Sequence, residues 1–413
     1  MNEIKKFIGK KKKEIKKLSA FEILLFASIF FLPIMRAGMK VSGRLLTASE
    51  ILFGISVLLF AYGIYKKREA LPKTSCFFPL VILFLGSFLA FIIDYLATGR
   101  TYYQDFIVLG YLVFFTAILT SYLSSRGPNA CNKAISVIFY SSVVVAFFSF
   151  AGMIVYILKS KLSFAINTFV WSRSGRLLSV FLNPNYASLF MGCIAIFFVM
   201  LYFERKKTKY LLLSLFMIFS NFFTVSKAGV GFMLFTIGVL FIFLFISKNV
   251  NGKMLFRTSI LILLVCLVAI SLTYSPWFNR IDDMNESNNG MKRRVAAWSS
   301  ANVSEIRPVP TNSAQIQEKL RENTGKNLKY HNFILTALFQ FGIFGAIFLV
   351  VFFYMIIRAF QRAYKSAFRL RAIGLFAAII FIILWGFFHD PITNKVLWLF
   401  FSMLIALNYT GKK

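Results

Sequence analysis

Histidine, cysteine and acidic side chains are scarce in this chain of 413 residues, which contains 2 His, 4 Cys and 15 Asp and Glu together. The four cysteines are scattered through apolar segments without the CxxC spacing of a zinc site, and they indicate no disulfide framework. No DxD pair occurs. We therefore predict neither a metal site nor a bound cofactor.

Apolar residues are abundant instead: they make up 58% of the chain and include 52 Phe, whereas charged residues make up 15%. This composition lies far outside that of a soluble domain. About 20 consecutive apolar residues cross a bilayer as a helix, so the long apolar runs predict an all-α polytopic membrane protein. The predicted spans, about twelve, are 20–36, 45–65, 76–97, 105–123, 134–157, 186–203, 210–225, 229–247, 258–275, 331–357, 372–388 and 395–409.

Positive charge dominates the polar residues, since 47 Lys and Arg give the chain a formal net charge of +32. These residues cluster in short loops between the spans and in the N-terminal arm, KKFIGKKKKEIKK. The positive-inside rule accounts for this pattern, so we expect no nucleic-acid partner. The rule places both termini in the cytoplasm, with the arm on anionic membrane lipids. No signal-peptide cleavage site follows, so the first span is expected to remain.

The predicted spans divide the chain into four parts. Residues 1–19 form the basic cytoplasmic arm, residues 20–275 the first nine spans, and residues 331–413 the last three spans with a cytoplasmic tail. Between them, residues 276–330 form one long outer loop of the candidate site, in which SAQIQEKLREN predicts a short amphipathic helix. This loop is too short for an independent core.

Several cations fall on the outer side, where the positive-inside rule leaves them unexplained. Arg173 and Arg176 lie in WSRSGRLLSVFLNPNYAS, Lys227 lies in the tight turn TVSKAGVG, and Arg293 and Arg294 lie in GMKRRVAAWSS. Each one, taken singly, fits a side chain that snorkels towards lipid headgroups. Together, with few acids close in sequence, they fit an anionic ligand such as a phosphate or pyrophosphate.

A polar helix start lies on the same side, in the sequence NPN. Asn183 and Asn185 suit turn and cap positions, and Pro184 prevents the preceding residues from continuing as a helix. A helix that begins here directs its free N–H groups towards the outer side, where they favour an anion.

Both histidines lie at outer helix ends. His331 and Asn332 begin the apolar run HNFILTALFQFGIFG, and a neutral imidazole with a pKa of about 6.5 suits a general base. An interfacial anchor or a helix cap is the alternative interpretation of His331. His389 stands beside Asp390, and we expect this adjacent pair to cap or anchor a helix rather than to act in catalysis.

Taken in order, these pieces resemble the O-antigen ligase and O-antigen polymerase superfamily. The resemblance rests on Arg176 with NPN and Ala187, then SKAG, then RVAAW with Trp298, then HNFIL followed by GIFG. It covers roughly residues 170–345, and the plan of twelve spans with one long late outer loop extends it over most of the chain. It implies a GT-C-like architecture and a site on the periplasmic face of the bacterial inner membrane.

The resemblance implies metal-independent transfer of a glycan from undecaprenyl pyrophosphate to an acceptor hydroxyl, in the first place ligation of O-antigen to lipid A core. Arg176 and Arg294 match the arginines that hold the pyrophosphate, and His331 matches the histidine that serves the acceptor. Lys227, Arg173 and Arg293 are the further predicted pyrophosphate-binding residues. The supporting residues are Asn183, Asn185, Asn332 and Trp298.

Two positions depart from the family pattern. Lys227 stands where the family usually has arginine, so a bidentate phosphate contact becomes a point-charge contact. Ser179 replaces a frequent glycine, which changes how closely the backbone approaches a substrate.

Other functions remain open at this stage. A polymerase uses the same donor with another carrier-linked glycan as acceptor, and a protein hydroxyl is a further possible acceptor. A metal-dependent glycosyltransferase would carry acids in its first outer loop, where PIMRAGMKVSGR has none. A transporter of lipid-linked sugars would show repeats and ionisable residues near the bilayer midplane, and neither is evident. A scaffold protein would not require cations in three separate outer segments.

Overall fold

The computed structural model describes residues 19–41, 44–66, 77–99, 104–157, 176–282, 290–301, 306, 308–324 and 330–410. A short antiparallel hairpin joins β1 (Gly38–Val41) to β2 (Arg44–Thr47). The helices of this part of the chain are α1 (Ala20–Phe30), α2 (Ala48–Tyr65), α3 (Phe78–Thr98), α4 (Gln104–Arg126), α5 (Pro128–Ile157), α6 (Pro184–Arg205), α7 (Thr208–Phe223), α8 (Lys227–Ser247), α9 (Gly252–Asp282), α10 (Gly290–Ser299), α11 (Ser313–Thr324), α12 (Phe333–Tyr364), α13 (Arg369–Gly386) and α14 (Lys395–Thr410).

Nine of the helices in the described residues are long and apolar enough to cross a membrane: α2 to α6, α8, α9, α12 and α13. The apolar helices α1, α7 and α14 are shorter. The prediction of an all-α polytopic membrane protein is therefore confirmed. The predicted basic arm lies outside the described residues except for Ser19, which caps α1 by accepting a hydrogen bond from the Glu22 N–H group.

Helix α6 forms the centre of the bundle, because nearly all of its side chains are buried against α7 and α13. Small residues permit this packing: a side chain added at Gly192 would overlap the ring of Phe381 in α13. With 22 residues, α6 is about 33 Å long. Its two ends define two faces of the bundle, which we call the Arg176 face (the Pro184 end) and the Arg205 face.

The apolar run that begins at His331 is a helical hairpin, so the prediction of one continuous span over 331–357 is wrong. Gly342 has φ 55° and ψ −127°, a conformation that is open only to glycine, and it interrupts α12. Phe333 contacts Phe352 with ring centroids 5.9 Å apart, although 19 residues of straight helix would separate them by about 28 Å. Residues 333–341 (α12a) therefore fold back along residues 343–364 (α12b).

Close backbone contact holds this hairpin together. A Cβ atom at Gly345 would lie 1.7 Å from the carbonyl oxygen of Ala337, so only glycine fits there. The two glycines of GIFG thus have separate tasks: Gly342 makes the reversal, and Gly345 lets α12a and α12b touch.

The segment between α9 and α12 is partly helical. The amphipathic helix predicted from SAQIQEKLREN is confirmed as α11, and α9 continues to Asp282, inside the predicted loop. Leu320 of α11 packs with Ala297, Tyr330 and Phe339 in a small core separate from the main one. Below, this group of residues is called the loop core.

A buried carboxylate fastens the loop core to the bundle. Asp94, at the end of α3, accepts hydrogen bonds from Asn312 Nδ2 at 3.0 Å and Gln315 Nε2 at 2.9 Å. Asp105, at the start of α4, accepts one from Gln340 Nε2 of α12a at 3.0 Å. Two helices of the bundle therefore position the segments that carry Arg294 and His331.

Candidate functional site

Arg176 is buried at the Arg176 face and is oriented by two hydrogen bonds. Its Nε donates to the carbonyl oxygen of Thr224 at 2.8 Å, and its Nη2 donates to Oδ1 of Asn185 at 2.7 Å. Leu177 N–H donates to the carbonyl oxygen of Phe223 at 2.9 Å, which fixes the backbone next to it. These two acceptors are neutral groups, and they fix the orientation of the guanidinium.

The predicted helix start at NPN is confirmed. Asn183 is the N-cap of α6, its Oδ1 accepting from Asn185 N–H at 2.8 Å, and Pro184 takes the first helical position. The Oδ1 atom of Asn185 also accepts from Ser226 Oγ at 3.2 Å. Asn185 thus joins Arg176 to the residue before Lys227.

Lys227 begins α8 and is half-buried. The first turn of α8 lies directly on α6, since a Cβ atom at Gly229 would overlap Ser188 Oγ at 1.8 Å. Ser188 in turn donates to Asn221 Oδ1 at 2.5 Å, within a buried polar network. The glycine of SKAG therefore sets how near Lys227 lies to the start of α6.

Left-handed backbone conformations mark the same region. The described non-glycine residues with positive φ are Ser179, Lys206, Val225, Lys248 and His331. Lys206 and Lys248 terminate helices, where this conformation is common. The other three lie in the segments that carry Arg176, Lys227 and His331. Val225, with φ 48°, is β-branched and strained there, and such outliers cluster at functional sites.

Helix α10 brings Arg294 to the site. The indole Nε1 of Trp298 donates to the carbonyl oxygen of Tyr330 at 2.6 Å, and its ring contacts Phe388 at 5.6 Å between centroids. Arg294 is half-buried and lies one helical turn before Trp298. Trp298 therefore ties the helix of Arg294 to the residue before His331.

His331 is exposed and lies two positions before the first residue of α12a. Asn332 is the N-cap of that helix, its Oδ1 accepting from Ile334 N–H at 3.0 Å and Leu335 N–H at 3.1 Å. The Nδ2 group of Asn332 donates to the carbonyl oxygen of Phe387 at 3.3 Å. Asn332 thus fixes His331 against the turn that holds His389.

His389 lies where these segments converge, in the turn between α13 and α14. Its side chain is buried and stacks on Trp385, with ring centroids 4.1 Å apart and planes 19° from parallel. Burial, and then the charges of Arg294, His331 and Arg176, lower the pKa of His389 to about 2. The imidazole is therefore neutral at physiological pH, with three predicted site residues within electrostatic range.

Arg176, Arg294 and His331 thus all lie within electrostatic range of one imidazole, and Asn185 links Arg176 to the residue before Lys227. Asn183 caps α6 and Asn332 caps α12a, whereas Trp298 bonds to the backbone of Tyr330. Arg173 lies outside the described residues. Arg293 belongs to α10, and its side chain lies outside the described part.

Sequence reasoning did not foresee the burial of His389 and overlooked Asp94. The expectation that His389 caps or anchors a helix stays a prediction; the structure adds that its ring is buried and stacks on Trp385. The scarcity of histidine in the chain was a usable signal for His389. The signal for Asp94 was the presence of an acid within the apolar run 76–97. Arg36, half-buried, also reaches this region, donating from Nε to the Phe181 carbonyl at 3.1 Å.

No group of three or more His, Cys, Asp or Glu in the described part of the chain could hold a metal ion. Neither a known protein-family model nor a curated protein matches the sequence.

Proposed function

We propose that the protein transfers an oligo- or polysaccharide from undecaprenyl pyrophosphate to an acceptor hydroxyl, as a member of the O-antigen ligase and polymerase superfamily. The observation that carries the proposal is that Arg176, Arg294 and His331 all lie within electrostatic range of the buried His389, with Lys227 joined to Arg176 through Asn185 and Ser226. Cations beside a histidine are the groups that displacement of a pyrophosphate requires.

In this mechanism the acceptor oxygen attacks the anomeric carbon of the donor while the bond from that carbon to the pyrophosphate oxygen breaks. The pyrophosphate leaves with the bonding electron pair, and Arg176, Arg294 and Lys227 stabilise its added negative charge. His331 takes the proton of the acceptor hydroxyl. The start of α6 adds the positive end of its helix dipole, which favours an anion.

The two histidines have different tasks. His389 is buried and its pKa is about 2, so it does not take up a proton at physiological pH. Its imidazole stacks on Trp385 and offers neutral hydrogen-bonding groups. It adds no positive charge to that of Arg176 and Arg294. The exposed His331 is the residue that an acceptor can approach, and we assign the base to it.

The finer architecture belongs to the same proposal. The three shorter helices α1, α7 and α14 complete a twelve-helix, GT-C-like plan in the inner membrane, with both termini cytoplasmic and the Arg176 face periplasmic. The segment 276–330 then forms the outer loop over the site. We favour ligation to lipid A core over polymerisation because one late loop dominates that face.

Purified protein with a synthetic undecaprenyl-pyrophosphate glycan and lipid A core tests this proposal. A ligase forms core-linked glycan, whereas a polymerase lengthens the glycan on its carrier. If wild-type protein yields neither product while it moves the lipid-linked glycan across vesicle membranes, the protein is a transporter and the proposal is wrong.

A further inference from the structure

A polar cavity lies at the same face as the candidate site, where the N termini of α2, α4 and α14 meet. Its volume is about 280 Å³, and its polar lining comprises Glu50, Asp105, Thr393 and Lys395. Polar cavities between helices are occupied by water or by a ligand with matching groups. Sites for drug-sized ligands measure roughly 300–1,000 Å³, so this cavity suits a group no larger than a sugar ring.

The lining is preorganised by contacts within the protein. Lys395 Nζ lies 3.1 Å from Glu50 Oε1 and 3.3 Å from Thr47 Oγ1, and it stands over the ring of Tyr111 at 5.2 Å. Glu50 also accepts from Thr47 N–H at 2.7 Å. Held in this way, the carboxylate and the ammonium group present acceptors and donors at set positions, which lowers the entropic cost of binding.

The charges of the lining select the class of ligand. The lining carries two carboxylates and one ammonium group, so the cavity disfavours a pyrophosphate, in contrast to the site of Arg176 and Arg294. A neutral group with several hydroxyls satisfies both signs, because each hydroxyl donates to a carboxylate and accepts from an ammonium. Tyr111 and Val108 add an apolar wall.

Helix α12a connects this cavity to the candidate site. Its last turn carries Gln340, whose Nε2 donates to Asp105 Oδ2 at 3.0 Å, and Asp105 lines the cavity. Its N terminus follows His331. The helix from residue 333 to residue 340 is about 12 Å long, a separation that a short oligosaccharide bridges.

We infer that the cavity lined by Glu50, Asp105, Thr393 and Lys395 binds a neutral sugar residue of the acceptor glycan, which lies along α12a with its reacting hydroxyl at His331. This inference rests on the proposed function, which sets the direction of the acceptor glycan: the distal sugar lies in the cavity and the reacting hydroxyl lies at His331. Sugar binding in the cavity is a separate property that is measured without transfer.

The test fills the cavity while leaving the Glu50–Lys395 pair intact. Thr393 is exposed and lines the cavity, so Thr393→Tyr places a ring in the space, and Thr393→Val is the matched control of nearly equal size. Full-length protein in detergent is titrated with core oligosaccharide released from lipid A, with binding followed by saturation-transfer NMR. Inorganic pyrophosphate serves as the second probe.

We expect Thr393→Tyr to weaken oligosaccharide binding at least tenfold, with Thr393→Val weakening it much less, because the valine leaves the cavity open and removes only one hydroxyl; pyrophosphate binding is retained in both. Retained pyrophosphate binding shows that the filled variant is folded; if it is lost, Val108→Phe fills the same space from α4. Oligosaccharide binding that is absent in wild type, or equal in the filled variants, overturns the inference. Pyrophosphate binding that is insensitive to Arg176→Lys counts against the proposed function instead.

Discussion

Arg176 and Asn185 are joined by a 2.7 Å hydrogen bond from Nη2 to Oδ1, and the same oxygen accepts from Ser226, the residue before Lys227. One amide oxygen therefore joins Arg176 to the neighbour of Lys227, although the two cations stand 51 positions apart in the sequence (227 − 176). The bonds to Thr224 and Asn185 together set the plane of the Arg176 guanidinium.

Arg176→Lys is expected to lower transfer about 100-fold, because a point charge cannot replace the planar fork that is held by Thr224 and Asn185. The measurement is kcat/KM for the lipid-linked donor. Arg205→Lys is the matched control: Arg205 also donates to neutral acceptors, Asn132 Oδ1 and Tyr210 Oη, at the far end of α6. Equal activities of the two variants would contradict the phosphate-binding role of Arg176.

His331→Asn is expected to lower kcat by roughly 10²–10⁴-fold, the usual contribution of a general base. Asparagine tolerates the left-handed conformation of this position, where φ is 46°, so the backbone is preserved. The rate of transfer is measured against pH in both proteins. A variant that keeps the wild-type rate and profile would remove His331 from the chemistry and leave it as an anchor.

Asp94→Asn is expected to lower kcat while membrane insertion and donor binding are retained, because the loop core loses the carboxylate that holds Asn312 and Gln315. Added to that variant, Asn312→Asp restores an acceptor across the same contact and is expected to recover part of the activity. The readouts are kcat, donor KM and protease sensitivity of the segment 290–324. Failure of the second substitution to recover any activity would show that Asp94 acts in another way.

Acid is expected to destabilise the protein through His389. Its folded pKa of about 2 lies below the unfolded value of about 6.5, so the stabilisation is fully present above pH 6.5 and is lost as the pH falls towards 2. At pH 5 this loss amounts to about 2 kcal/mol. Thermal unfolding in detergent between pH 7 and pH 5 measures it. The slope should be shallower for His389→Gln, and parallel slopes would contradict the buried neutral imidazole.

Transfer is expected to survive EDTA at the wild-type rate, because the proposed mechanism neutralises the leaving group with Arg176, Arg294 and Lys227. Product formation is compared with and without chelator in the same preparation. Activity that is lost on chelation and restored by Mg²⁺ would assign that task to a metal ion.

Local signals in the sequence were sufficient for several elements. Two examples are the start of α6 at NPN and the amphipathic helix α11. Both depend on residues that interact within a few positions of each other. Hydrophobic length likewise predicted the apolar helices, since the cost of burying the backbone in lipid acts along each segment separately.

The fold-back of α12 was not predictable in this way. Residues 333–364 read as one apolar helix, and a glycine within such a run is tolerated in many helices. Only the contacts of Phe333 with Phe352, and of Ala337 with Gly345, reveal the reversal at Gly342.

By itself the sequence determined that the chain is a helical membrane protein, with two histidines at the ends of apolar runs. The tertiary structure decided which histidine is exposed and which is buried, and it brought Asp94 to Asn312 across 218 positions. The physical reason is that burial and electrostatic range depend on distances in space. Composition and short spacing constrain only what lies within a turn or two of the chain.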